Sequence, residues 1–181
     1  NLVLLPSFSS ISSTIYAVTQ TVVSPFDGNL YVTVSEGGLP PLRGMLLRYD
    51  GVSWTQIART DYGGLMSALH AHGQYIYVGT TGQEPVVAAS GFTGTSGNGF
   101  ASINLATQVV EDVGDVDNAT VTAADGSTVL QPQVRAITTD KTGNVYVGGY
   151  FTGFSNGSSS TATGHVAIYD RVSGKWVDTN I

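Results

Sequence analysis

The sequence predicts an all-β fold made of repeated four-stranded units, on three observations. Apolar and polar residues alternate with period two over short runs, and no useful length of chain holds a 3.6-residue period. Glycine-containing turn pairs separate the runs. The runs also recur: GNVYVGGYF, from Gly143 to Phe151, returns as GNLYVTV from Gly28 and as GQYIYVGT from Gly73.

Taken in chain order, NLVLLPSF (1–8) lies where the last strand of a preceding unit would lie, so residues 1–13 are read as an extra N-terminal strand. The first unit spans 14–64, with strands near 15–19, 29–34, 44–49 and 53–58. Its turns are Asp27-Gly28-Asn29 and Asp50-Gly51, residues that tolerate the positive φ of tight hairpins, and Trp54 marks its fourth strand. The second unit spans 65–131, with strands near 66–70, 74–80, 99–104 and 107–113. It carries Val109 near the tryptophan position and an insertion from Gly114 to Gln131. The third spans 132–181, with strands near 134–138, 144–149, 164–169 and 174–178, and ends on Trp176. Tyr31, Tyr77 and Tyr146 are equivalent, 46 and 69 residues apart, and the insertion accounts for the larger gap. Gly148 and Gly149 stand where a side chain would crowd a neighbouring unit, or where the strand bulges.

Four-stranded units of this length are the signature of β-propeller blades. The string from Tyr146 to Trp176, YVGGYF followed by a loop, GHVAIYD and a tryptophan strand, resembles the kelch-like repeats of large secreted bacterial and fungal propellers. The second unit departs from that pattern, with Ser102-Ile103-Asn104-Leu105 in place of the Tyr-Asp end. The resemblance implies a scaffold and no particular activity. Three blades do not close a ring. The chain is therefore expected to be cut from a longer propeller, to pair its open edges with another molecule, or to build a degenerate fourth blade from ATVTAA and STVLQPQ in the insertion.

Charged residues are only 11% of the chain, the formal net charge is −6, and the basic residues are scattered singly. No patch exists to neutralise phosphates, which argues against nucleic acid and anionic membrane surfaces. No cysteine is present, and apolar runs are as short as Val86-Val87-Ala88-Ala89, so neither thiol chemistry nor a membrane-inserted segment is expected. The start at Asn1 is read as a processed or excised chain.

His70-Ala71-His72 puts two imidazoles on one face of a strand, as a metal site would, but with no third ligand nearby the pair is read as structural. Glu111, Asp112, Asp115 and Asp117 form an acidic loop without a calcium-loop spacing. No nucleophile elbow occurs, GTSGN from Gly94 lacking its last glycine, and no cofactor motif occurs. Asp50 and Asp170 share a repeat position and are read as turn residues. Trp54, Trp176, Tyr31, Tyr77, Tyr146, Tyr49 and Tyr169 recur and are read as core, whereas Tyr62, Tyr150 and Phe154 lie off the repeat and are the candidate ligand-contact aromatics. Asn118 and Asn156 begin N-glycosylation sequons in expected loops, and the tract 155–163 suits O-linked sugar.

The expected function is that of a non-enzymatic extracellular building block, structural or adhesive, associating with itself head to tail through open strand edges and the strand Leu2, Val3, Leu4 and Leu5. The alternative is a carbohydrate-binding propeller, and beyond that a part of a secreted glycoside-active enzyme.

Overall fold

The first unit folds as four sequential antiparallel strands: β1 (Ile15–Val23), β2 (Leu30–Glu36), β3 (Arg43–Tyr49) and β4 (Trp54–Thr60). A computed structural model describes residues 5–37, 42–61, 63–82, 84–117, 121–122, 129–130, 133–156, 159–162 and 164–177. Its elements are strands and one short 3₁₀ turn, Phe8–Ser10.

The second unit opens with β5 (Met66–His72) and β6 (Tyr75–Thr80). It then leaves its own sheet for a hairpin, β7 (Pro85–Ala88) and β8 (Thr95–Asn98), before returning as β9 (Phe100–Asn104) and β10 (Val109–Glu111). No strand is expected between 80 and 99 from the sequence. Instead β7 pairs with β4, so the first sheet runs β1-β2-β3-β4-β7-β8 and the second β10-β9-β6-β5. The unpaired backbone along β4 supplies the reason: Val86 and Val87 satisfy it while Val86 buries completely.

The insertion contributes β11 (Asp115–Asp117) and a small pair, β12 (Val121–Thr122) with β13 (Val129–Leu130). The degenerate fourth blade expected from the insertion lies partly outside the described residues, and among those described the insertion adds only this pair and β11. The third unit repeats the second: β14 (Gln133–Thr139), β15 (Val145–Tyr150), a hairpin of β16 (Gly153–Asn156) and β17 (Ser159–Ala162), then β18 (Val166–Asp170) and β19 (Lys175–Val177). The Ser/Thr tract 155–163, expected to lie in a loop, overlaps this hairpin, and β16 pairs with β11. In both later units the hairpin reaches back toward the preceding one.

Three apolar layers hold the sheets. Tyr31, Leu46 and Ala58 on the first sheet pack with Met66, Ile76, Val78, Ala101 and Ile103 on the second. Ala68, Tyr77 and Phe100, on the opposite face of the second sheet, pack with Val134, Val145, Val147, Ala167, Tyr169 and Trp176 of the third. The remaining face of the first sheet, with Val32, Val34, Met45, Leu47 and Trp54, is covered by Phe8, Ile11 and Ile15. The chain thus folds its own N-terminal segment over this face. Leu5 is exposed there, and Leu2, Val3 and Leu4 lie outside the described residues.

The first strands of the units pack side by side, β1 on β5 and β5 on β14. Each has a one-residue bulge at the same repeat position, at Tyr16, Ser67 and Arg135. Ser67 Oγ donates to the Val134 carbonyl at 2.6 Å, and Thr19 Oγ1 donates to that of Met66 at 2.9 Å. Adjacent units are stitched at these points.

Candidate functional site

The densest polar chemistry lies along the seam between the second and third units. Alternation puts His70 and His72 of β5, Tyr75 and Tyr77 of β6, and Ser102 and Asn104 of β9 on the face of the second sheet that meets the third. Against them stand Thr139 of β14 and the turns at Thr142-Gly143 and Arg171. At the end of the seam is a cleft of about 330 Å³ lined by His72, Gln74, Tyr75, Tyr77, Thr142 and Arg171.

Thr139 Oγ1 lies 3.0 Å from His70 Nε2 and 3.0 Å from His72 Nδ1. A hydroxyl has one proton, so it donates to one ring and accepts from the other. The two histidines do share a face, as their spacing predicts, and what they share there is a threonine of the next unit. Among the described residues no group of three His, Cys, Asp or Glu side chains is placed to hold a metal ion. Burial, with His72 beside it, lowers the His70 pKa, so the neutral ring is favoured.

Arg171 closes the cleft. It pairs with Glu111 Oε2 at 2.9 Å, donates to Ser102 Oγ at 3.3 Å, and its guanidinium lies 3.7 Å from the centre of the Tyr75 ring. Glu111 also accepts from Ser102 Oγ and Asn104 Nδ2, and Gln74 Nε2 donates to Asn104 Oδ1. The network is closed on itself: the carboxylate and the guanidinium are committed to each other, and one face of Tyr75 is taken by the cation.

The other sequence candidates are dispersed. Asp112 Oδ1 accepts the Gly114 amide and Asp115 Oδ1 the Asn98 amide, so three of the four acidic-loop carboxylates, with Glu111, serve separate local partners. Asp50 accepts the amides of Val52 and Ser53, and Asp170 those of Val172 and Ser173. Asn104 does the same for Ala106 and Thr107, which identifies it as the third member of this turn position. Phe154 was expected to be an exposed contact aromatic; it is fully buried, stacked on Trp176 with centroids 3.6 Å apart, because its hairpin folds inward over the seam. Tyr150 is half exposed and meets His165 edge to face. Tyr62 and Asn118 lie outside the described residues, while the Asn156 backbone sits in β16.

The sequence reading missed Arg171 and Thr139. A signal existed for the first: Arg171 follows Asp170 where the first unit has Gly51 after Asp50, and a long cation in place of a turn glycine needs a partner. Thr139 has no such mark.

The second surface of interest is the outer face of the third sheet. Ala136 opposes Gly148, which opposes Val166; Thr138 opposes Tyr146, which opposes Ile168, which opposes Val177. Directly opposed residues share a face. The equivalent positions of the second unit, Ala68, Tyr77 and Phe100, are 3%, 1% and 0% exposed beneath the third unit. On the third sheet Val166 is 44% and Val177 42% exposed, and Ala136 is exposed as well. Comparison with known protein families, curated proteins and solved structures finds no match to this chain.

Proposed function

We propose that the three units are propeller-type blades of the kelch-like kind, and that the protein is a non-enzymatic extracellular building block, structural or adhesive, that associates with itself by stacking one more four-stranded unit on its third. The repeated bulge and the side-by-side packing of β1, β5 and β14 support the blade reading, since a propeller gathers its first strands around one axis. The observation carrying the function is the outer face of the third sheet. It repeats the positions that receive the next unit on the first two sheets, and Val177, Val166 and Ala136 there are exposed where Ala68, Tyr77 and Phe100 are buried. The closed Arg171–Glu111–Ser102 network favours a seam over a reacting centre. It also weakens the sugar-binding alternative, because Arg171 occupies the Tyr75 face on which a sugar would stack.

Gly148→Val tests the reading. A Cβ at Gly148 would have Ala136 Cβ, 3.8 Å away, as its nearest neighbour, so the chain's own fold accommodates it, while a unit seated on that face would not. Light scattering should show concentration-dependent association of the native chain and its loss in the variant. A native chain and variant that scatter alike at every concentration would refute self-stacking. If the source glycosylates its secreted proteins, the intact mass should exceed that of the polypeptide through sugar at Asn118 and Asn156.

A further inference from the structure

The covering on the first sheet imitates a preceding unit. Trp176 Nε1 donates at 2.6 Å to the carbonyl of Val113, just beyond the last strand of the second unit. Trp54 is the equivalent residue of the first unit, opposed to Tyr49 as Trp176 is to Tyr169. Its Nε1 donates at 2.9 Å to the carbonyl of Pro6. Pro6 therefore occupies the place that Val113 holds at the next seam but one, although no unit precedes it in the described chain. Phe8 completes the imitation, its ring 4.7 Å from that of Trp54, and Ile11 and Ile15 cover the remaining apolar surface of Val32, Val34, Met45 and Leu47.

The covering is thinner than the real seams. Pro6 and Ile11 do not bury as Val113 does. Besides local bonds from the Ile11 and Ser12 amides to the Phe8 carbonyl, the backbone of the segment is tied to the first sheet at its end, where the Gly37 amide donates to the Thr14 carbonyl. No strand of the first sheet pairs with residues 5–14.

We infer that residues 5–14 are a displaceable cap on the first sheet, and that the occupant which displaces them is the third unit of a second copy of this chain. The occupant follows from complementarity already present inside the molecule. The capped face, Val32, Val34, Met45 and Leu47, repeats Ile76, Val78, Phe100's neighbour Ala101 and Ile103, which seat on the outer face of the unit before them. The uncovered face of the third sheet repeats the surface they seat on. One copy thus carries both halves of a head-to-tail contact, one bare and one capped. The cap limits assembly, because the incoming unit must replace Phe8 and the Pro6 carbonyl at Trp54.

This inference rests on the self-stacking reading, and the test separates the two. The full chain, the cap-weakened pair Phe8→Ser with Ile11→Ser, and Gly148→Val are compared by sedimentation over a concentration series, with circular dichroism checking that each keeps its β signal. The cap-weakened chain should associate at a concentration about tenfold lower than the native chain, as expected for losing two partly buried apolar side chains from a competing contact. In the native assembly, hydrogen exchange at the Ile11 and Ser12 amides should accelerate while β2 and β3 stay protected. Association of the native chain with no gain in the cap-weakened one, or unchanged protection at Ile11, overturns the cap alone. Monomers throughout, the cap-weakened chain included, overturn both.

Discussion

Gly79 and Gly148 occupy the same position in two consecutive units, each opposite an alanine of the first strand, yet adding one methyl group to each should have opposite consequences. Neither lies in the left-handed region of φ, so alanine is allowed at both on backbone grounds. At Gly79 a Cβ would overlap Val134 Cγ1 and lie 2.6 Å from Val134 Cβ. Val134 is fully buried and β-branched, so it cannot swing aside and its strand must shift. Overpacking of this kind costs about 1–3 kcal/mol. At Gly148 nothing lies closer than 3.8 Å, and replacing glycine there narrows the unfolded ensemble, a gain of about 0.4–1 kcal/mol. The two variants should therefore differ by about 2 kcal/mol. Urea unfolding followed by circular dichroism reads this as a midpoint lowered for Gly79→Ala and unchanged or raised for Gly148→Ala. At a concentration where the native chain self-associates, Gly148→Ala should lose association while keeping its fold. Equal destabilisation by the two substitutions would refute the claim that one face is sealed and the other bare.

The indole bonds give a second contrast. Trp176→Phe leaves the buried Val113 carbonyl without its donor and should cost about 1–3 kcal/mol, whereas Trp54→Phe frees the exposed Pro6 carbonyl to water and should cost about 1 kcal/mol or less, as read from urea midpoints. Arg171→Ala and Glu111→Ala should be non-additive, with a double-mutant cycle returning about 1 kcal/mol or more of coupling, because each leaves the other partly buried and unpaired. Thermal midpoints should fall as the pH drops below about 6.5. The lowered His70 pKa means that the unfolded chain binds the proton more readily, so the stability from neutral His70 is complete above that pH and lost on acidification. A second fall should follow toward pH 2, where Asp140, held at about 2 by bonds from Thr142 and Asn144, is finally protonated; its contribution is complete above the ordinary carboxylate range, and Asp140→Ala should flatten that limb.

The twelve repeat strands were legible because each carries its own period-two pattern and its own turn. Leu30–Glu36 and Val145–Tyr150 are bounded by residues that can take positive φ, and their β-branched and aromatic side chains need no distant partner to favour extension. The two hairpins were not legible for the converse reason. Thr95–Asn98 reads TSGN and Ser159–Ala162 reads SSTA, sequences with no strand signal of their own. They extend because each pairs with the other strand of its hairpin, β7 or β16, which is itself held on β4 or β11, a fact of tertiary packing. The site divides likewise. Pairing of His70 with His72 on one face follows from spacing, whereas Thr139 between them follows from how β14 docks on β5. Phe154 misled for the same cause: off the repeat in sequence, it lies on a hairpin whose burial only the seam reveals.

Those hairpins also set the strength expected of any contact between copies. Within the chain each later unit is held by two devices, an apolar face and a hairpin reaching back: β7 pairs with β4, and β16 pairs with β11 beyond β10. The first unit's β2–β3 connection, residues 37–42, is too short to hold a hairpin of that length. A first unit seating on another copy's third unit would bring the apolar face without the clip. It would also first have to give up Phe8 and the Pro6 carbonyl at Trp54. Loss of both a pairing strand and part of the net burial makes the contact between copies weaker than either internal seam. Association should then be reversible on dilution while each chain stays folded. Its valines should make it only weakly sensitive to salt, since the one charged pair the register places on that face, Asp170 with Lys175, lies at its end and is of opposite sign. An assembly that dissolves in moderate salt at neutral pH would point to charged edges, not to this face, as the contact.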